Sequence, residues 1–455
     1  MSRLPRTLSL SPGLKSHIGP TLRLSVPVVI ARAGLLLMLA VDTAMLGHYD
    51  VNSLASFAAA NAVQFVMVLV AVGLLQSTAI LVARNVGAGD LKACGTLFRA
   101  SLMLGTLLGL ALSLISLLGE WLLLLLGQSS EIAAGGGRIF LMFAWGMPGL
   151  GLWIACSFFL EGLSRPLPGM ITSLSAVLAN ALLDWLFIYG GLGLPPLGAE
   201  GAAIATSIVR WLMLFCLLGY ITRLKDREAL GLNGRWTGLW PEIGRLFRLG
   251  YPLGLSRGLE AGAFSALTLI AGLLGPAALA GYQITLNLAS LMFMSAVGTG
   301  SAATVRVGTA LGRREPLEMA RAGWASVVVI AVIMAIATVA FVAVPGGIAG
   351  LYTDDQDVRA LTQTLILVAA TFLITDGAQM VLQGALRGLA DVWAPSIIQF
   401  VSWWCVTLPL GYGLAVGAGL GASGLIWAIT AGTIVSSLTL ALRFRTLTRR
   451  ALAPA

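Results

Sequence analysis

Four carboxylates lie inside stretches that otherwise have the composition of membrane-buried helices: Asp42, Asp184, Glu260 and Asp376. A charged side chain at the centre of a bilayer costs roughly 2.5–3.5 kcal/mol on insertion scales, so four idle ones would cost on the order of 10 kcal/mol. Acids that persist against such a cost are typical of sites that bind a proton, a cation or a cationic substrate. The four acids therefore indicate a transporter.

Two of these acids lie in the first half of the chain. Asp42 closes the first apolar stretch, ten residues after Arg32. Asn180 and Asp184 are four residues apart, which places them on one face of a helix. A carboxylate removed from water can pick up a proton, and a carboxylate with an amide offers the oxygen ligands that hard cations take. We predict that Asp42 exchanges a proton, with simple solvation near the outer interface as the alternative. We also predict that Asn180 and Asp184 hold Na⁺ or relay a proton, with an interhelical hydrogen bond as the structural alternative.

The other two acids lie in the second half, and each is a candidate for a second site for H⁺ or Na⁺. Glu260 follows Arg257 by three residues, so an ion pair within one helix is the alternative reading. Asp376 has no basic residue close to it in sequence, and a purely structural pairing is harder to arrange. A polar and aromatic stripe on the eighth apolar stretch supplies either accessory cavity residues or contacts between helices: Tyr282, Gln283 and Asn287.

Two prolines fall inside helices that carry these acids. Pro27 precedes Asp42 in the first apolar stretch, and Pro252 precedes Glu260 in the seventh. A proline inside a helix removes one backbone hydrogen bond and can kink the helix. A kinked helix with a buried acid can couple cation binding to a change of shape, and we predict a kink at both prolines.

The composition places these residues in a membrane protein. The chain has 455 residues, is 58% hydrophobic and only 10% charged, and its mean hydropathy is +0.92. A membrane-spanning helix needs about 20 mostly apolar residues. Twelve runs qualify: 22–46, 54–83, 94–118, 132–158, 167–190, 199–220, 247–274, 278–304, 317–343, 361–386, 394–415 and 420–442.

The basic residues predict the orientation. With both termini assigned to the cytoplasm, 23 of the 28 Lys and Arg residues fall on the cytoplasmic side, and only Arg138 and Arg359 fall on the other. This positive-inside bias predicts an integral protein of the bacterial inner membrane with cytoplasmic N- and C-termini. It also accounts for the net charge of +9, so a nucleic-acid partner is not expected.

The two halves of the chain repeat each other at a shift of 225 residues. The pattern Leu24-x-x-Pro27-x-x-x-x-Arg32 recurs as Leu249-x-x-Pro252-x-x-x-x-Arg257. The fold class is therefore an all-α membrane protein, with twelve transmembrane helices in two pseudo-symmetric six-helix bundles. The predicted parts are an N-terminal segment (1–21), an N-lobe (22–222), a cytoplasmic loop (223–246), a C-lobe (247–446) and a tail (447–455).

Short motifs along most of the chain carry a family resemblance. They are Asp42-Thr43-x-Met45-x-Gly47, Arg84-Asn85-x-Gly87-Ala88-Gly89, Pro252-x-Gly254-x-x-x-x-x-Glu260, Tyr282-Gln283-x-x-x-Asn287, Val305-Arg306-Val307-Gly308 and Ala385-Leu386-Arg387-Gly388. Together, and in this order, they resemble the multidrug and toxic compound extrusion (MATE) transporters. The resemblance implies two lobes around a V-shaped cavity. It also implies export of organic cations or amphipathic drugs in exchange for inward H⁺ or Na⁺.

The resemblance also assigns roles to residues. Glu260 and Asp376 match the cation-binding acids of NorM-like members, and Asp42, Asn180 and Asp184 match the site emphasised in DinF-like members, with Thr206 a further candidate there. The chain carries both sets and most resembles the NorM-like branch. The expected partners are drugs and membrane lipids, the expected functional unit is a monomer, and no cofactor is expected beyond the coupling ion.

Three other functions are weighed against this one. A lipid-linked sugar or polysaccharide flippase of the same superfamily would use basic cavity residues, for which Arg32, Arg210 and Arg257 are the intramembrane candidates. A channel would pass ions without exchange. A membrane-embedded enzyme is disfavoured because the chain has only two histidines and no Ser or Cys nucleophile motif.

Overall fold

The computed structural model describes residues 12–191, 193–353 and 355–452. The first eleven residues of the predicted N-terminal segment and the last three of the predicted tail lie outside the described residues. Within these ranges the chain forms helices and no strand. The helices are α1 (Pro12–Tyr49), α2 (Val51–Leu75), α3 (Ser77–Ala88), α4 (Leu91–Ser116), α5 (Gly119–Leu125), α6 (Ser130–Ala144), α7 (Met147–Gly162), α8 (Leu167–Ile188), α9 (Gly198–Thr222), α10 (Trp240–Leu273), α11 (Pro276–Gly312), α12 (Pro316–Ala343), α13 (Pro345–Gly350), α14 (Gln356–Ala369), α15 (Leu373–Gly388), α16 (Trp393–Phe400), α17 (Leu408–Tyr412) and α18 (Ala422–Leu452).

The helices match the twelve predicted spans. Among the described residues, nine helical stretches are long and apolar enough to cross a membrane, if α2 with α3 and α16 with α17 each count as one stretch, and two bent pairs raise that number to eleven. The seventh predicted span corresponds to α10, which has 34 residues but carries Arg248, Arg257 and Glu260. The eleventh is α16 and α17 joined by the π-helical turn Val401–Thr407. The predicted all-α membrane fold is confirmed.

Two predicted spans are broken in the middle, and the breaks obey the internal repeat. The fourth span consists of α6 and α7, which meet at 52°, and the tenth consists of α14 and α15, which meet at 50°. The first break consists of Trp145 and Gly146 and the second of Ala370, Thr371 and Phe372, so the second break starts 225 residues, one repeat length, after the first. The halves therefore share an irregularity that hydropathy alone does not reveal.

The chain divides into two compact units. The N-terminal unit is Ile30–Gly262, and the C-terminal unit contains the residues up to Val29 together with those from Ala263 onward. Each has its own apolar core; Phe140, Phe143 and Phe159 belong to the first, and Trp403 and Phe444 to the second. The divisions fall inside α1 and α10. The lobes predicted from sequence have different bounds, 22–222 and 247–446, and they stay a prediction.

Three helices of the N-terminal unit are held close to each other: α1, α8 and α9. The hydroxyl of Tyr189, just after α8, donates to the carbonyl of Met45 on α1 at 2.8 Å. Gly201 on α9 lies against α8 so closely that a Cβ atom there would be 2.5 Å from the carbonyl oxygen of Phe187. Only glycine allows this approach without a shift of the backbone.

We predict that Gly201→Ala separates α8 from α9 and lowers stability. Because the opposing atom is backbone, the overpacking should destabilise the protein by about 1–3 kcal/mol. Gly219→Ala on the same helix is the control, since a Cβ there would have no atom within 4 Å. Thermal unfolding of the purified protein in detergent measures both. Equal unfolding midpoints for the two variants would contradict the prediction.

Candidate functional site

The buried acids of the N-terminal unit meet at one amide. Nδ2 of Asn180 donates to Oδ1 of Asp42 and to Oδ2 of Asp184, both at 2.5 Å. The side-chain hydroxyl of Thr206 lies 3.4 Å from the other oxygen of Asp42 and donates to it. All four residues are buried; Asn180 and Asp184 are 0% exposed. We call Asp42, Asn180, Asp184 and Thr206 the acidic cluster.

Helical spacing and close helix packing assemble the acidic cluster. Asn180 and Asp184 project from one face of α8, one turn apart, as their spacing predicts. Asp42 arrives from α1 and Thr206 from α9, so the contacts join residues 138 and 164 positions apart in the chain. The hydrogen bond from Tyr189 to Met45, three residues after Asp42, ties α1 to the end of α8 beside the cluster.

The electrostatics of the acidic cluster demand a positive charge. Two carboxylates that share one donor repel each other when both are ionised. Two further acceptors, Oδ1 of Asn180 and Oδ1 of Asp184, are buried and have no hydrogen-bond partner, and a buried acceptor without a partner costs free energy. A proton, or a small cation held by these oxygens, would satisfy both requirements. In the described part of the chain, no three His, Cys, Asp or Glu side chains gather as a metal site.

The two acids predicted for the second candidate site have different surroundings. Glu260 accepts from Arg257 at 2.9 Å within α10, as the ion-pair alternative predicts, and both side chains are mostly buried. Asp376 on α15 accepts from Nε2 of Gln379 at 2.8 Å, while Oε1 of Gln379 is buried without a partner. Glu260 belongs to the N-terminal unit and Asp376 to the C-terminal unit.

The predicted stripe on α11 is divided between two faces. Tyr282 is 0% exposed and lies in the core of the C-terminal unit, where its hydroxyl has no partner. Gln283 and Asn287 are exposed one turn apart, and Oδ1 of Asn287 accepts from the hydroxyl of Tyr352 at 3.0 Å. The three side chains do not share one surface, because a shift of one residue on a helix turns the side chain by about 100°. Burial of Tyr282 fits the helix-contact alternative, and the cavity role of the three residues stays a prediction.

Both predicted kink prolines lie inside long helices. α1 continues through Pro27 and α10 continues through Pro252. Each proline leaves one carbonyl of the preceding turn without its backbone donor. The division between the two units falls two residues after Pro27. The kinks themselves stay a prediction.

Among the buried polar residues of the N-terminal unit that were not predicted as site residues are three whose contacts bear on the charges of this unit. Glu161 accepts from Arg32 at 3.2 Å, and the guanidinium of Arg32 lies 5.3 Å from the ring centre of Phe158. Glu161 was missed because the fourth predicted span stopped at residue 158, whereas α7 continues to Gly162. The other two are Gln64 on α2 and Arg210 on α9. Arg210 lies one helical turn after Thr206.

Comparison with known proteins gives a consistent result. The family model MatE matches residues 27–186 and again 252–413, two segments that start 225 residues apart. A "Probable multidrug resistance protein NorM" of Bradyrhizobium diazoefficiens is 36% identical over 438 residues, which are 94% of this chain and 93% of the relative. A "Multidrug resistance protein NorM" of Burkholderia vietnamiensis is 34% identical and covers 97% of each chain. The Vibrio cholerae MATE transporter VcmN in its bent form superposes with a TM-score of 0.87 at 18% identity, over 96% of this chain and 98% of that one.

We predict that Asn180→Ala destabilises the N-terminal unit. The substitution leaves the buried oxygens of Asp42 and Asp184 without their shared donor, and buried acceptors left in this way cost about 1–3 kcal/mol. Ser175→Ala on the exposed side of α8 is the control for the helix. The measurement is thermal unfolding in detergent at pH 8, and an Asn180→Ala midpoint equal to that of Ser175→Ala would refute the prediction.

Proposed function

Because this chain belongs to the MatE family of membrane transporters, we propose that it exports organic cations or amphipathic drugs in exchange for inward H⁺ or Na⁺. Relatives that align with almost its whole length are named multidrug resistance proteins, which supports the substrate class. The observation that carries the coupling is the amide of Asn180 shared by two buried carboxylates.

The acidic cluster is the proposed coupling site. Its two carboxylates repel each other in the absence of a positive charge, and the free oxygens of Asn180 and Asp184 are available to a cation. Entry of H⁺ or Na⁺ from outside removes the repulsion. A cation that moves inward across the membrane gains about 2.3 kcal/mol per 100 mV of potential, and this gain drives the cycle.

Binding of the coupling ion would release the drug by removing negative charge. A cationic drug in a membrane cavity is attracted most strongly by acidic groups, because they carry the opposite charge. When the acidic cluster is neutralised outside, that attraction is lost and the drug leaves. When the ion leaves inside, negative charge returns and the site accepts the next drug. Pro27, in the helix that carries Asp42, is proposed to transmit this change.

Glu260 and Asp376, the acids outside the acidic cluster, are proposed to contribute less to binding of the coupling ion. Arg257 already neutralises Glu260 at 2.9 Å, so a coupling ion there would compete with a resident guanidinium. Asp376 has an amide donor in Gln379, and it is proposed as an auxiliary cation or drug site. The exposed Gln283 and Asn287 are proposed as cavity residues.

The flippase alternative receives little support. A lipid-linked anion needs basic residues free to bind phosphate, and two of the three intramembrane arginines already hold carboxylates: Arg32 holds Glu161 and Arg257 holds Glu260. We propose that the transporter resides in the bacterial inner membrane with cytoplasmic termini, and that it works as a monomer without a cofactor.

The test is efflux of a cationic dye from proteoliposomes. A pH gradient and then a Na⁺ gradient are imposed, each with the membrane potential clamped. We expect ethidium movement driven by one of the two, loss of it in Asp42→Asn and Asp184→Asn, and a reduced rate in Asp376→Asn. Ser175→Ala is the control and should transport like the unmodified protein.

Two results would contradict the proposal. The first is unmodified protein that moves no cationic dye under either gradient but moves a lipid-linked anion. The second is full exchange in Asp42→Asn or Asp184→Asn protein that has been shown to reach the membrane.

A further inference from the structure

Arg210 is a buried guanidinium that the proposed exchange has not used. It projects from α9 and is 8% exposed. Its contacts are weak and neutral: Nη2 lies 3.4 Å from Oε1 of Gln64, Nη1 lies 3.8 Å from the sulfur of Met147, and the guanidinium carbon lies 5.2 Å from the ring centre of Phe143. In the described ranges, Arg210 forms no ion pair with a carboxylate within 4.0 Å.

A guanidinium in such surroundings requires a counter-charge. Arginine stays charged in proteins, and an ion buried without compensation is strongly destabilising. Met147 and Phe143 would accommodate an apolar side chain at this position without that penalty. The packing and the hydrogen bonds of Arg210 do not compensate for the free-energy cost of burying its charge. A nearby negative charge is therefore required.

The acidic cluster supplies the missing negative charge. Thr206, which donates to Asp42, lies one turn before Arg210 on the same face of α9, and side chains spaced in this way are neighbours. Thr206 therefore brings Asp42 to the turn of α9 that precedes Arg210. Gln64 turns its oxygen toward Arg210 and leaves its own Nε2 without a partner, as expected if it orients the guanidinium.

We propose that Arg210 is a resident cation of the acidic cluster, which balances one of its two carboxylates and limits the cluster to one exchanged monovalent cation in each cycle. The proposal rests on the proposed exchange function and adds its stoichiometry. Two ionised acids and one arginine leave a single negative charge, which one H⁺ or one Na⁺ neutralises. Without Arg210, two cations would be needed for the same neutral state.

The charge pairing is tested by a double-mutant cycle that needs no transport. Thermal unfolding midpoints at pH 8 are compared for unmodified protein, Arg210→Met, Asp42→Asn and the double variant. If Arg210 balances Asp42, Arg210→Met lowers the midpoint more in the unmodified background than in Asp42→Asn, by about 1–3 °C. Additive effects would overturn the proposal.

Two controls make the cycle specific. Asp226→Asn combined with Arg210→Met should be additive, because Arg165 holds Asp226 through two hydrogen bonds of 3.0 and 2.7 Å and lowers its pKa. If Arg210→Met alone does not yield folded protein, the recovery of monodisperse protein in the double variant with Asp42→Asn becomes the readout. Recovery supports the pairing, and loss of both variants while Asp42→Asn alone folds overturns it.

The stoichiometry is tested by reversal potentials in proteoliposomes, which count the cations exchanged for each drug molecule. We expect one fewer cation for the unmodified protein and Arg210→Lys than for Arg210→Met. A residue with only a packing role would change the rate and leave this number unchanged, which would overturn the proposal. If the unmodified protein does not exchange at all, the exchange function fails, while the unfolding cycle still decides whether Arg210 balances the acids.

Discussion

The amide of Asn180 donates to two carboxylates from different helices, and the rest of the site depends on this shared donor. With both hydrogens of Nδ2 engaged, Asp42 on α1 is held to Asp184 on α8, and the remaining repulsion between the acids has to be met by a positive charge. One is built in as Arg210; the other is proposed to come from the coupling ion. In this proposal the cluster has two states, one with and one without the coupling ion. The hydrogen bond between Asn180 and Asp42 exists only while α1 lies close to α8. Binding of the proposed coupling ion would therefore depend on the position of α1.

The two halves of the repeat share their helix architecture, but their charged residues form different contacts. Breaks in the fourth and tenth spans lie one repeat apart, and the family model matches each half once. Arg32 and Arg257 occupy equivalent places in the repeat, yet Arg32 holds Glu161 on another helix and Arg257 holds Glu260 on its own. The backbone thus retains the symmetry of the repeat, whereas the acidic cluster is built in one unit only. Such asymmetry suits a transporter in which drug and ion are not bound by identical sites.

Hydropathy and the repeat predict the helices and the fold class, because a membrane span is set by a local property of the chain. The same reasoning brought Asn180 and Asp184 to one helix face, since four residues make about one turn. It could not predict that Asp42 contacts them, because Asp42 and Asn180 are 138 positions apart in the chain and meet only through the packing of α1 against α8. It missed Glu161, which lies beyond the end of the predicted fourth span, and it did not reveal that Tyr282 is buried in the core while Gln283 and Asn287 are exposed. Arg210 was visible as an intramembrane charge, but its relation to the acids required the structure.

The most direct test of the account is cation binding to the acidic cluster itself, measured without transport. Purified protein in detergent is assayed for ²²Na⁺ binding and, in unbuffered solution, for proton uptake on acidification from pH 9. The account predicts that the unmodified protein binds one or the other ion, that Asp42→Asn combined with Asp184→Asn abolishes this binding, and that Ser175→Ala leaves it unchanged. Undiminished binding in the double variant would contradict the account, because the coupling ion would then have to bind outside the acids that Asn180 joins.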